Sequence, residues 1–384
     1  MSDTEQPVVD QETPEKGKHQ RQRKTDTKKK PVSKKKEKAQ QREHERLKAA
    51  TATFNRFYEN EFGPERWPVL LEAMKKPVRH CMMMNKYAHP EDVLAKLTPL
   101  KDDLRSLDFL SIPCYASTLP RFPHPSKDRA NITDCYILDA GSVLATEALD
   151  IQPHDRVLDL CAAPGGKSLA ILQRLSDYGN LTVNEISPDR RRRLRQVMDN
   201  YVPPKVAQEH VNVLGKDGTR FYHDPEQYDK VLLDAPCSSE RHLLHDEKEF
   251  EQWTPKRTIQ NAKRQLSLLK AASYSVNVGG YVVYGTCSIS SAENDKVVDR
   301  MVRKGKVPME VVHMSWPMGE KTENGWIILP DRSDGWGPLY FSLLRRTGVS
   351  KEGEWNDDEE EDDEEEEEEV EEKKPKKKSS KSKK

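Results

Sequence analysis

Arg156-Val157-Leu158-Asp159-Leu160-Cys161-Ala162-Ala163-Pro164-Gly165-Gly166-Lys167 runs from a short apolar segment through small residues into an amphipathic pattern. That succession reads as a strand, a tight loop and the start of a helix. Small residues let a backbone approach a ligand, and the start of a helix offers N–H groups without intrahelical partners. The same alternation continues downstream. Leu181 to Glu185 predicts a second strand, and Pro188 opens a basic helix reaching about Asn200, proline being well suited to a first helical position. A weaker third strand falls at Val211 to Val213 and a fourth at Tyr228 to Asp234. A long helix from about Pro255 to Asn277 precedes a strand at Tyr281 to Tyr284. A helix from Ser291 to Lys304 and strands at Met309 to Val312 and Leu339 to Leu344 complete the pattern. Strands alternating with helices predict an α/β, Rossmann-like domain whose sheet is mostly parallel.

In open parallel sheets, ligands bind beyond the carboxyl ends of the strands, and the chemically informative residues lie at those ends. The first loop has a rival reading. Gly166-Lys167-Ser168 matches the end of a phosphate-binding P-loop, although Cys161 stands where its first glycine belongs, and Asp234 resembles a magnesium-binding strand end. Glu185 separates the two readings, because an acid at the end of the second strand accepts hydrogen bonds from both ribose hydroxyls of a nucleoside. Asp217-Gly218, after the third strand, is placed to take an adenine amino group. Each acid alone is more often a solvated loop residue or helix cap, but together they favour an adenosine-containing cofactor.

Two cysteines also sit at strand ends, in Asp234-Ala235-Pro236-Cys237 and in Thr286-Cys287-Ser288. A lone cysteine there is usually an inert packing residue. Two above one cleft are harder to explain so, and a helix beginning just after Cys287 would lower its thiol pKa.

Cys161 to Lys167, Asp234 to Cys237 and Thr286 to Ser288, in this order and spacing, resemble the Nop/Sun family of RNA cytosine-5 methyltransferases. The resemblance covers roughly Asn131 to Thr347. It implies a class I methyltransferase with a seven-stranded sheet, a small helical N-terminal extension and disordered charged tails. Tyr136 to Ala145 and Asp234 to His242 are similar to the mitochondrial branch, which acts on small-subunit rRNA or a tRNA. The Phe57 to Ala88 region resembles its rRNA member, which uses a helical-repeat partner. The implied cofactor is S-adenosylmethionine, contacted by Cys161, Ala162, Ala163, Pro164, Gly165, Gly166, Lys167, Glu185, Arg190, Asp217, Gly218 and Asp234. Glu185 departs from the aspartate common in the family, but either carboxylate reaches a ribose.

The chemistry explains the need for a cysteine. Cytosine carbon 5 is a poor nucleophile until a thiolate adds to carbon 6, which divides one hard step into easier ones. The resemblance gives that attack to Cys287 and product release to Cys237, while Asp234 polarises the ring at N3. Two alternatives remain open: a DNA cytosine-5 methyltransferase attacking through Cys237, or an idle RNA-binding or ribosome-assembly factor. In every catalytic case the base must leave its stack.

Outside this core the sequence is less specific. The chain has 384 residues and a formal net charge of -1, which hides a basic stretch from Lys16 to Lys48 and an acidic run from Asp357 to Glu372. Like-charge blocks repel and bury little apolar surface, so the expected division is a disordered basic tail (1–50), a helical extension and linker (51–125), the catalytic domain (126–348) and a disordered tail (349–384). Phe54, Phe57, Tyr58 and Phe62 recur at helical spacing and predict a core-facing stripe. Pro113 to Pro125 reads as a connection. The five arginines of Arg190 to Arg195 read either as a solvated helix face or as phosphate contacts. The six cysteines show no zinc spacing, and no apolar run nears the roughly 20 residues that span a bilayer. The expectation is an intracellular RNA-binding protein without a metal. Lys28–Lys30 and Lys34–Lys36 resemble a nuclear address or a nonspecific RNA-binding arm, so the charged tails point to the nucleus or nucleolus, against the mitochondrial resemblance.

Overall fold

The computed structural model describes residues 34–118 and 122–350. The chain divides into two units, Met1–Arg46 and Leu47–Lys384. Within the described residues of the second lie two sheets. The smaller is formed by β1 (Cys81–Met84), β2 (Leu104–Ser106), β3 (Cys114–Ser117) and β4 (Cys135–Leu138), in the order β2-β3-β1-β4, with every pairing antiparallel. The larger contains β5 (Arg156–Asp159), β6 (Asn180–Asn184), β7 (Val211–Leu214), β8 (Tyr228–Asp234), β9 (Val276–Thr286), β10 (Met309–Val312), β11 (Glu320–Lys321), β12 (Trp326–Ile328) and β13 (Leu339–Arg346).

The large sheet runs β11-β12-β13-β9-β8-β5-β6-β7, with β10 beside β13. The pairings from β7 to β9 are parallel, and β13 returns antiparallel against β9. It holds nine strands among the described residues, not the expected seven, because β13 is shared. Leu343 to Arg346 pair with β10, while Leu339 to Phe341 pair with β12, the inner strand of the β11–β12 hairpin.

The central strands are buried on both faces. Val157, Leu232 and Val283 join one core cluster, and Leu158, Val231, Leu233, Val282 and Tyr284 join the other. This is the period-two alternation of a strand, which sends neighbours to opposite faces. From β5 the chain steps to β6 and β7 on one side, then returns to β8 and β9 on the other. Such a reversal opens a crevice at the carboxyl ends, here between the loops after β5 and β8.

The region before the catalytic core is not purely helical. Helices Lys34–Phe62, Arg66–Lys75 and Pro90–Leu97 are present, but the Cys81–Met84 run and the Cys114–Ser117 part of the expected connection are strands. A four-residue apolar run carries too little period to separate strand from helix. β4, from the expected catalytic domain, pairs with β1, so no boundary between compact units falls near residue 125. The first helix starts at Lys34, inside the stretch read as disordered. Its Lys, Glu, Gln, Arg and Ala are strong helix formers. The remainder of that tail and the acidic run lie outside the described residues. Phe54 and Tyr58 are buried, and Tyr58 stacks on Trp67, with ring centroids 5.2 Å apart, while Trp253 packs against Phe54 at 4.8 Å. The aromatic stripe is a core face.

Candidate active site

The loop after β5 depends on its glycines. Gly165 has φ 119°, in the left-handed region that glycine enters without strain. A Cβ on Gly166 would lie 2.8 Å from Tyr136 Cε1. Asn184, at the end of β6, ties three loops together. Its Nδ2 donates to Leu160 O (3.1 Å) and Lys216 O (3.0 Å), and its Oδ1 accepts from Lys216 N (2.9 Å). This bridging amide was missed in the sequence, where it reads as an ordinary strand-end residue.

Two carboxylates are buried beside this loop. Asp159 Oδ2 accepts from Ser168 Oγ at 2.6 Å, whereas Oδ1 has no hydrogen-bond partner. Burial pushes the Asp159 carboxyl up to about 7. Glu185 lies one residue beyond β6, only 2% exposed, and its Oε1 accepts from Ser187 N at 2.8 Å. Its Oε2 lies 3.1 Å from Arg190 Nη1, an ion pair that lacks hydrogen-bond geometry. Buried oxygens left without donors are rare, and a ligand carrying hydroxyl and ammonium groups would supply them. S-adenosylmethionine has both, so these residues fit it.

Asp217 is exposed and caps the turn of 3-10 helix Gly218–His223 by accepting from Thr219 N at 3.1 Å. Arg190 Nη2 donates to Ala163 O (2.7 Å) and Arg191 Nη1 to Glu185 O (2.7 Å). Arg192 pairs with Asp189 on the surface. The first two arginines of this helix therefore brace the loops after β5 and β6, Arg190 while still half exposed to solvent.

Across the crevice, three segments converge on two sulfurs. Cys287 Sγ lies 3.1 Å from Cys237 Sγ and 2.9 Å from Ser239 Oγ. Lys167 Nζ donates to Asp234 Oδ2 at 2.7 Å. The hydrogen bond with Cys237 lowers the Cys287 thiol pKa, and the Ser239 hydroxyl and the Lys167 charge act the same way, while burial and the Asp234 charge oppose them. Cys237 is held well above the ordinary thiol range by its bond to Cys287 and by burial. Either sulfur can donate in this contact, and the asymmetry lies in Ser239 Oγ, which is 2.9 Å from Cys287 Sγ and 3.5 Å from Cys237 Sγ. Burial disfavours the Lys167 charge, yet Asp234 outweighs it and raises the pKa.

The expectation that a helix start activates Cys287 is corrected. The next helix begins only at Asp295, after an irregular stretch and a turn at Ser291 to Asn294, so the hydrogen bonds with Cys237 and Ser239 supply the effect. Lys167, counted with the cofactor loop, lines the same cavity as Cys287 and Asp234. It pairs there with Asp234. Cys161 is half-buried, and burial pushes its thiol up.

The cavity measures about 560 Å³ and is also lined by Asp139, Ser239, Arg241, His242 and Pro338. Ligand clefts span roughly 300–1,000 Å³. Arg241 is 5% exposed and donates to Lys76 O and Pro77 O (3.2 Å each), to Gly335 O (3.1 Å) and to Gly337 O. It thereby fixes one wall. Asp139 Oδ2 accepts from Gly337 N at 3.0 Å on the same side. Asp139 and Arg241 were legible only as parts of a resemblance, and Ser239 carried no signal of its own.

A model of the 16S rRNA methyltransferase RsmB/F family matches residues 146–345. The chain belongs to this family. It is an S-adenosylmethionine-dependent RNA cytosine-C5 methyltransferase. The 5-cytosine rRNA methyltransferase NSUN4 of Bos taurus is 30% identical over 343 residues, covering 78% of this chain and 89% of its own. The mitochondrial tRNA (cytosine(34)-C(5))-methyltransferase of Danio rerio is 32% identical over 328 residues, covering 76% and 86%. The crystal structure of NSun6 from Pyrococcus horikoshii with SFG superposes with a TM-score of 0.63 at 20% identity, over 77% of this chain and 98% of that one. That likeness establishes the fold shared with the family.

Proposed function

We propose that this enzyme methylates a cytosine of mitochondrial small-subunit rRNA, with Cys287 as the nucleophile. One observation carries the assignment of the nucleophile: Cys237 and Ser239 both reach Cys287 Sγ, at 3.1 and 2.9 Å, beside the Lys167–Asp234 ion pair. In this reading both groups donate to a Cys287 thiolate, the reactive form of cysteine, and Ser239 lies closer to Cys287 than to Cys237, at 2.9 against 3.5 Å.

The unstacked base enters the cavity lined by Asp139, Arg241 and Pro338. Cys287 adds to carbon 6 as Lys167 and Asp234 offer a donor and an acceptor to the polar edge of the ring. Bound S-adenosylmethionine supplies an electrophilic methyl group. Glu185 receives the ribose hydroxyls, Asp217-Gly218 flank the adenine, and the Cys161–Gly166 loop lines the remainder of that pocket. Methyl transfer leaves S-adenosylhomocysteine; a base in the cavity then takes the carbon-5 proton as the bond from carbon 6 to sulfur breaks, and its electron pair returns to Cys287 as a thiolate. The Cys237 thiol stabilises that leaving group by the same hydrogen bond. This ordering disfavours attack by Cys237, as in the DNA enzymes.

The catalytic domain in this reading is 126–348, with the segment 51–125 completing the wall of the cavity. The similarity to the NSUN4 proteins supports rRNA as the substrate. The similarity to a relative named as mitochondrial supports that compartment, and nothing comparable supports the nucleolus. A helical-repeat protein that delivers the RNA belongs to the same proposal. The test is bisulfite sequencing of mitochondrial rRNA and tRNA from cells with and without the protein, with purified enzyme assayed on the same RNAs. Loss of one small-subunit rRNA methylcytosine supports the reading; loss confined to a tRNA overturns the choice of substrate. Restoration of in vitro activity only by a co-purifying protein would establish the partner.

A further inference from the structure

The residues that follow the two cysteines are bound crosswise. Glu293, from the Cys287 segment, accepts from the backbone N (3.0 Å) and the hydroxyl of Ser238, the residue after Cys237. Glu240, from the Cys237 segment, accepts from Ser288 Oγ (3.0 Å), the residue after Cys287, and from Ile289 N (3.1 Å). Each cysteine loop thus sends a carboxyl to the residue beside the other loop's sulfur. Both glutamates are fully buried.

The clasp is anchored from three directions. Gln265 Nε2, on helix Pro255–Ser275, donates both to Glu293 Oε2 (2.7 Å) and to Pro236 O (2.8 Å). Tyr58, on the first helix, donates to Glu240 Oε1 at 2.6 Å, and Glu61 on that helix accepts from Ser291 N. Tyr284, on β9, donates to the Glu293 backbone carbonyl. These donors, with Glu61, Cys237 and Cys287, are the ionisable and polar groups that face the pair. Gln265 Oε1 alone among these side-chain atoms is buried without a partner, and a buried polar network this nearly satisfied favours one geometry.

We propose that Glu240 and Glu293 are positioning residues that hold the two cysteine loops in the register at which Cys237 hydrogen-bonds Cys287. The proposal rests on Cys287 being the nucleophile and extends that reading to residues that touch neither base nor cofactor. Burial pushes Glu240 up to about 8 and also raises Glu293. Burying two acids this way is costly, which is unexpected for residues that only fill space. Glutamine keeps the shape of glutamate but replaces one acceptor oxygen by a donor, which then faces Ser238 or Ile289.

The test is the rate of Cys287 alkylation by iodoacetamide as a function of pH, located by peptide mass spectrometry, in the full chain. Glu293→Gln and Glu240→Gln are compared with wild type, with S-adenosylmethionine Kd as the check on folding. The expected result is alkylation slowed about tenfold near neutral pH, with the profile displaced to higher pH, Kd within about twofold, and kcat rather than RNA KM affected, since small misplacements cost rate. Wild-type reactivity in a variant that binds the cofactor normally would overturn the clasp. Where a glutamine variant loses cofactor binding, Ser238→Ala and Ser288→Ala, which each remove one donor, decide by the same measure. Wild-type Cys287 no more reactive than Cys237 would instead overturn the nucleophile assignment itself, and the clasp with it.

Discussion

The two walls of the cleft are built on opposite plans. The cofactor wall is a short loop and successive strand ends, stitched by Asn184, with buried carboxylate oxygens of Asp159 and Glu185 left short of donors. The base wall gathers residues from four distant segments and satisfies most of them among themselves, through Arg241, Glu240 and Glu293. The first wall keeps unmet hydrogen-bonding capacity for a ligand that completes it. The second holds two sulfurs 3.1 Å apart before any substrate arrives. In the proposed mechanism, preorganisation is concentrated where the covalent bond forms.

The contrast breaks or holds under substitution. Cys287→Ala should lower methyl transfer by roughly 10³-fold or more while leaving S-adenosylmethionine affinity unchanged, measured by single-turnover assay and calorimetry. Cys237→Ala should complete the first methyl transfer yet slow turnover by about 10²-fold, with enzyme–RNA adduct accumulating on ordinary cytosine in denaturing gels. Glu185→Ala should do the reverse, weakening cofactor binding by about 1.5–3 kcal/mol, the range for a charged hydrogen bond, without altering Cys287 alkylation. The smallest effect is on stability. Asp159 titrates near 7 when folded and near 4 when unfolded, so the folded state binds the extra proton. Its contribution falls as pH rises between those values. The Tm of the cofactor-free protein should therefore decline from pH 5 to pH 8 less steeply in Asp159→Asn than in wild type.

The same contrast explains what the sequence revealed. The proposed cofactor wall was legible because its residues are contiguous or sit at predictable strand ends, as in Cys161 to Lys167 and Glu185. The two cysteines of the proposed mechanism were legible as strand-end residues within recognisable motifs. The clasp was not: Glu293 reads as an ordinary acid before a helix, and Glu240 as one charge in a polar loop. Only the packing of β8 against β9 brings them together. Short runs such as Cys81 to Met84 hid the small sheet, since four residues carry no usable period.

The central claim, covalent catalysis through Cys287, is tested most directly with RNA containing 5-azacytosine, S-adenosylmethionine and purified protein. The account predicts a denaturation-resistant complex with wild type and with Cys237→Ala, absent only in Cys287→Ala. A complex that survives in Cys287→Ala and disappears in Cys237→Ala would contradict it.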